Sequence, residues 1–343
     1  FQFQNQRMLF PIAHRVKFSI NIYRCQSRSD PSFDSISNLF AAQTIDASYH
    51  HDGQGPVGGI KVDDGKDWNE GGHASRIVHV DRDRLALFAN LYDVEGTPAL
   101  AARLPTLHTQ ELVSVLQKFA AQPRRLGDLK GEYLSLEMWH ETNQQKDGTI
   151  RRETRFPDEP GQWVLSGPHF FVGNPAYKTP RAVCTEKGHY DCLDLTRLPD
   201  DYLPRTNYVP DCSPAEYADR TPRVPWVEGE ETQGKRVTEY FRLASRAMIS
   251  IGAEKGLVSA VIPKGAGHTN GVRTYLFQSN DRLLGMAAGC LSIIFDFFIK
   301  LSGRTNLQQS LDDFAFPNGY FSAQSSTRVL CLSSLTRHYS DLW

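Results

Sequence analysis

The chain has 343 residues, 40% of them hydrophobic and 22% charged, and a formal net charge of −1. That length suits about two domains at roughly 100–200 residues each and is enough to bury a sizeable core. The near-neutral balance excludes a global basic field, so any nucleic-acid contact has to come from a local cleft. Six cysteines, Cys25, Cys184, Cys192, Cys212, Cys290 and Cys331, contain no CxxC pair, and a disulfide scaffold would be shorter and denser in cysteine. Cys184, His189, Cys192 and Cys212 can be drawn as a zinc set, but their irregular spacing favours free buried thiols, no metal and a reducing cytoplasm. The opening FQFQNQRMLF has neither an initiator Met nor a signal-peptide pattern, and neither end reads as a natural terminus, so an internal fragment is expected. The apolar stretch near Leu283–Leu301 follows Asn280, Asp281 and Arg282 and carries Asp296 and Lys300, which argues against a membrane span.

Alternating apolar residues in VKFSINIY predict a strand over 16–23. Residues 46–76 are rich in Gly and Asp with little apolar content and read as a flexible loop or linker. Helices are expected over 81–93, opened by Asp81, and over 109–119, with Thr109 as N-cap and Leu112, Val115, Leu116 and Phe119 as one face closed by Pro123. Residues 127–235 are rich in Pro and aromatic residues and predict short strands and structured loops. Helical spacing returns in 237–251, GLVSAVIP (256–263) reads as a buried strand, 283–300 as a mostly buried helix, and RVLCLSSL (328–335) as a last strand.

Amino-methylating DNA enzymes use Asn or Asp, Pro, Pro and an aromatic residue to accept hydrogen bonds from, and stack on, a flipped base. Asn174–Pro175–Ala176–Tyr177 approaches that tetrapeptide, but Ala176 replaces the second Pro and no cofactor-binding Gly-rich turn precedes it. A structured turn is the favoured reading; a permuted catalytic order using the Gly265–x–Gly267 turn is the other. Lys178–Thr179–Pro180–Arg181 and Tyr202–Leu203–Pro204–Arg205–Thr206–Asn207–Tyr208 place cations, amides and aromatic rings on Pro-stiffened loops. Cations hold phosphates or read guanine, and Asn pairs with adenine in the major groove. Lys264, His268, Asn270 and Arg273 follow the 256–263 strand, and Arg304–Thr305–Asn306–Leu307–Gln308–Gln309 follows the apolar helix, with the donors and acceptors for similar contacts. No P-loop, HExxH or GxSxG elbow is present. His50–His51–Asp52 reads as a solvated loop, and Trp139–His140–Glu141 with Asp147 lacks the paired carboxylates that metal-assisted phosphodiester cleavage needs.

FQNQRMLFPIAHRVKFSINIY (3–23) resembles a segment of the large adenine-specific DNA methyltransferases of type IIG restriction systems and of BREX- and DISARM-type defence systems. SGPHFFVGNPAYKTPR (166–181), LPDDYLPRTNYVP (198–210) and SIIFDFFIKLSGRTNLQQSL (292–311) resemble the target-recognition region of that family, and VLCLSSLTRHYSDLW (329–343) resembles its hand-over to a further part. The resemblance covers most of the chain, with 46–76 the poorest match, and it rests on the order of the segments more than on any one. It implies transfer of a methyl group from S-adenosylmethionine to adenine N6 in a full-length parent, with the cofactor and catalytic motifs before Phe1. No catalytic residue is therefore carried over, Asn174, Pro175 and Tyr177 become a look-alike, and no cofactor is expected to bind this chain.

The expected fold class is α+β: a remnant of a methyltransferase sheet (1–45), a linker (46–76), a helical connector (77–125) and a mixed α/β target-recognition region (126–343). Lys178, Arg181, Arg205, Lys264 and Arg304 are expected to hold phosphates or bases of double-stranded DNA. Asn207, Asn270 and Asn306 would read base edges, and Tyr208 belongs to the same surface. Other restriction or defence subunits are further expected partners, and a non-enzymatic scaffold of a defence complex is the alternative reading.

Overall fold

Pairing at the start of the chain rests on two short alternating stretches. The computed structural model describes all residues except 15, 24–29, 60, 63–66, 187, 250–252, 308–310 and 317–322, so Cys25, Gln308 and Gln309 lie outside the described residues. Gln2–Gln4 (β1) pairs antiparallel with Lys17–Ser19 (β2), and Phe3 stacks on Phe18 with ring centroids 5.2 Å apart. The strand expected over 16–23 is thus shorter, and Ile22 and Tyr23 project into solvent beyond it. Phe33–Ser35 (β3) is followed by Gln43–Tyr49 (α1), a small ribbon of Lys61–Val62 (β4) and Asp67–Trp68 (β5), and Val78–Val80 (β6), which pairs with β3.

The described residues of 46–76 include regular elements. The stretch opens inside α1 and closes in a 3-10 turn at Ala74–Arg76. Arg76 is only 1% exposed and donates to the carbonyls of Ser37, Asn38 and Gly71 at 2.9–3.1 Å. Hydrogen bonds from one guanidinium supply the fixation that a segment so poor in apolar residues cannot get from burial.

Arg82–Tyr92 (α2) begins where expected because the Asp81 carboxylate accepts the Arg84 amide at 2.9 Å. Leu112–Ala120 (α3) starts three residues beyond Thr109, without a side-chain cap, and buries Val113, Leu116 and Phe119, a face slightly rotated from the expected one. Two compact units result, 1–123 with 298–303 and 124–297 with 304–343, and the fold class is α+β.

The second unit contains Tyr133–Leu136 (β7), Glu141–Lys146 (α4), Ile150–Arg155 (β8), Val164–Leu165 (β9), Lys178–Pro180 (β10), Tyr190–Cys192 (β11), Thr206–Pro210 (β12) and Pro214–Arg220 (α5). Arg242–Arg246 (β13), Ser259–Ile262 (β14), Gly267–His268 (β15) and Val272–Phe277 (β16) follow. Its main sheet has the order β14-β13-β16-β7, antiparallel throughout, beside the pairs β8–β12, β10–β11 and β9–β15. Residues 237–249 are thus not an α-helix, with 250 and 251 outside the described residues: β13 is a central strand. Leu243, Ala244 and Ser245 are fully buried on its two faces, and a strand covered on both sides has no need of polar alternation, which left a false helical spacing in the sequence.

Asn280–Leu291 (α6) and Ile293–Leu301 (α7) replace the single helix expected over 283–300, meeting at 68°. Ser292 sets the break: its hydroxyl donates to Gly289 O at 2.6 Å and accepts the Phe295 amide at 3.2 Å. Among the described residues no single helix is long and apolar enough to cross a membrane. The strand expected over 328–335 is the C-terminal part of helix Ala323–Ser333 (α8), which buries Val329, Leu330 and Ser333 at helical spacing while Cys331 and Leu332 face out.

In α7, buried Asp296 accepts the amides of Gly256 and Leu257 at 2.7 and 2.6 Å, both on Oδ1. Asp296→Leu strands both donors and is expected to cost about 2–4 kcal/mol in denaturant unfolding. Asp296→Asn, which keeps an acceptor oxygen in place, is expected to cost less than half of that.

Candidate nucleic-acid interface

β8 runs Ile-Arg-Arg-Glu-Thr-Arg and ends in Phe156–Pro157. Its register with β12 sets Arg155 opposite Thr206 and Arg152 opposite Tyr208. The Phe156 ring is 47% exposed. Arg205 lays its guanidinium 4.3 Å from the centre of that ring, and Tyr202 meets it edge-on at 6.5 Å. The Arg205 backbone is fixed on both sides, its amide donating to Thr179 Oγ1 at 3.0 Å and its carbonyl accepting from His169 Nε2 at 2.8 Å. The neighbouring β10–β11 ribbon carries Lys178, 5.4 Å from the Tyr177 ring centre, and Arg181, paired with Asp191 at 2.9 Å. Arg205 Nη1 also reaches Pro180 O at 3.4 Å, beside the ribbon that carries Lys178 and Arg181, while Arg155 pairs with Glu153 at 3.2 Å and Asp158 at 3.6 Å and Arg152 donates to Cys184 O at 2.9 Å. A guanidinium over an exposed ring gains about 0.5–1 kcal/mol and offers a flat, cationic surface to phosphate or base. Sequence reading missed Phe156, Arg152 and Arg155; the signal available was an aromatic residue closing a strand with three arginines.

The remaining expected contacts are engaged otherwise. Asn207 is 7% exposed; its amide donates to Tyr190 Oη at 2.7 Å and its oxygen accepts from Thr154 Oγ1 at 3.0 Å. Tyr208 is buried and donates to Glu141. Asn270 Oδ1 accepts the Glu141 amide at 3.1 Å. Lys264 lies over Phe241 and pairs with Asp341 at 3.2 Å. Arg304 pairs with Asp313 at 2.7 Å with its side chain 13% exposed, and Asn306 Nδ2 reaches Met248 Sδ at 3.7 Å. Asn207 and Tyr208 are therefore turned into the fold, while Lys264 stays exposed beside Asp341.

Asn174–Tyr177 is a turn: Gly173 takes φ +75°, Asn174 Nδ2 donates to Val172 O at 3.2 Å, and Tyr177 packs on Phe171. The Gly265–x–Gly267 turn has no room for a cofactor. A Cβ at Gly267 would lie 2.7 Å from Tyr217 Oη, and one at Gly265 would lie 3.0 Å from Pro160. The glycines serve close packing of protein on protein. His268 is fully buried, shares a hydrogen bond with Thr274 Oγ1 at 2.9 Å, and is held down to about 3 by burial first and the Arg242 charge second. Cys184 is buried but Cys192 is exposed, and among the described residues no His, Cys, Asp and Glu group is placed to hold a metal. No family model and no curated protein matches the chain.

Two measurements follow. Asn207→Ala removes an internal network and is expected to lower unfolding stability by about 1–3 kcal/mol, read by denaturant unfolding. Burial lowers His169 to about 4 and His268 to about 3 in the folded chain. Below the ordinary histidine value of about 6.5 the unfolded chain alone takes up these two protons. Stability of the second unit is therefore complete above that value and declines as pH falls from about 6.5 toward 4, at about 1.4 kcal/mol per pH unit for each histidine. Denaturant midpoints between pH 7 and 5 read this directly.

Proposed function

We propose that the chain is the double-stranded-DNA recognition part of a site-specific, adenine-N6 DNA methyltransferase of a restriction or phage-defence system. The observation that carries the reading is the Arg205 guanidinium 4.3 Å from the centre of the exposed Phe156 ring, beside the ribbon that carries Lys178 and Arg181. Short strands and prolines hold it, so little entropy is lost when it engages a ligand. Lys178, Arg181 and Arg205 neutralise phosphates and set the register of the duplex, with Arg205 and Phe156 nearest the bases. S-adenosylmethionine supplies the methyl group in the parent enzyme. The Gly265–Gly267 turn does not fit it, and no step of the transfer is assigned to residues of this chain. The exposed apolar run Met8, Leu9, Phe10, Ile22 and Tyr23 favours a second reading, a scaffold that docks other defence subunits.

The test is duplex binding by fluorescence anisotropy at two salt concentrations, comparing the wild type with Lys178→Ala/Arg181→Ala/Arg205→Ala. Salt-sensitive binding is expected, with affinity in the triple variant reduced at least about tenfold and the salt slope lowered by about 1 per lost phosphate contact. Absence of binding by folded wild-type protein at low salt would replace the DNA reading with the scaffold.

A further inference from the structure

We propose that the first unit carries a catalytic site for acyl esters presented at the protein surface, with Ser32 as nucleophile, His79 as its base and Asp34 orienting the base. The pairing of β3 with β6 builds it. Val78 and Val80 are buried, so the alternation of the strand turns the intervening His79 to the outer face. The register sets Asp34 directly opposite His79, and side chains paired across two strands in this way touch. His79 Nδ1 lies 3.1 Å from Asp34 Oδ1, and His79 Nε2 lies 3.1 Å from Ser32 Oγ. Each ring nitrogen thus has its own partner, in the order hydroxyl, imidazole, carboxylate.

Further contacts fix the members. Tyr49, in α1, donates its hydroxyl to Asp34 Oδ2 at 3.0 Å, so both carboxylate oxygens are engaged. Burial first, then the Asp34 carboxylate, pushes Tyr49 up to about 12, and the phenol keeps the proton it donates. Asp30, two residues before Ser32, accepts from Arg82 Nε at 2.7 Å, and Pro31 restricts the backbone between them. Two more charged groups beside His79 are turned elsewhere: Asp81 Oδ1 accepts the Arg84 amide at 2.9 Å, and the Arg84 guanidinium donates to the His79 carbonyl. A carboxylate only accepts, so it holds the ring proton on Nδ1 and leaves the Nε2 lone pair toward the Ser32 hydroxyl. In that arrangement an imidazole removes a serine proton, whatever the order of the residues along the chain. The His79 and Asp34 side chains are 53% and 37% exposed and Ser32 is exposed, so an ester reaches the hydroxyl directly from solvent.

Ser32 Oγ bonds to the acyl carbon as its proton passes to His79 Nε2. The C–O bond to the alcohol breaks, and the leaving oxygen takes that proton. Water then attacks the acyl-serine and gives a proton to Nε2; the acid departs, and the proton returns to Ser32 Oγ. The net reaction converts ester and water to acid and alcohol.

The test treats the full chain with an alkyl fluorophosphonate, which bonds to an activated serine with loss of fluoride, and maps the label by peptide mass; p-nitrophenyl acetate reads turnover. Ser32 is expected to carry the label and Ser32→Ala to lose it. His79→Gln, a change on the exposed face, is expected to leave the denaturant midpoint in place and to slow labelling and ester hydrolysis at least about tenfold. Asp34→Asn is expected to slow both and, in imidazole nitrogen NMR, to lose the Nδ1–H tautomer of the wild type. Ser32 left unlabelled in the folded wild type, or labelled at the wild-type rate in His79→Gln, overturns the site and leaves a polar ladder that only pairs two strands. An Nδ1–H tautomer retained in Asp34→Asn overturns the orienting role of Asp34.

Discussion

The second unit depends on burying one strand, Arg242–Arg246, between two partners. Every residue of it except Arg246 is sealed from solvent, and both of its edges are satisfied by β14 and β16. Its two terminal arginines are put to opposite uses. Arg242 runs into the core, where it meets Ala266 O and Met138 Sδ and, among the described residues, no carboxylate; burial lowers it to about 10, so it stays charged. Arg246 runs outward and clamps the carbonyls of Gly167 and Phe170 at 2.7 and 2.6 Å. That clamp holds the segment from which His169 reaches the Arg205 carbonyl. The proposed contact surface is thereby tied to the central strand through two hydrogen-bonded steps, and its cations sit on fixed backbone rather than on free loops.

The legible parts of the fold were those whose signal is local. Asp81 announces α2 because a carboxylate cap acts on an amide three residues away, and β14 announces itself as a short apolar run closed by Pro263. The errors came where tertiary burial overrides periodicity. β13 and α8 exchange the expected types because a strand buried on both faces and a helix with a narrow buried stripe produce similar short apolar runs. The break at Ser292 was hidden because a hydroxyl that both donates and accepts ends one helix and starts the next without a Gly or Pro to mark it.

The site was legible in part for the same reason. Pro-stiffened loops pointed to Lys178, Arg181 and Arg205, and Arg205 lies against the ribbon that carries the other two. Asn207 and Tyr208 stand next to Arg205 in sequence but face inward, because strand geometry turns alternate residues to opposite sides and the bulge between Thr206 and Tyr208 shifts that alternation by one. Phe156 gave no periodic signal, and only pairing of β8 with β12 brings it under Arg205.

The most direct test of the account is amide hydrogen exchange of the full chain with and without a mixed-sequence duplex at low salt. The account predicts protection over residues 152–156, 177–181 and 202–206, with the Asn207 and Tyr208 amides already slow in the free protein. Protection confined to other parts of the second unit, or no change on adding DNA, would contradict it.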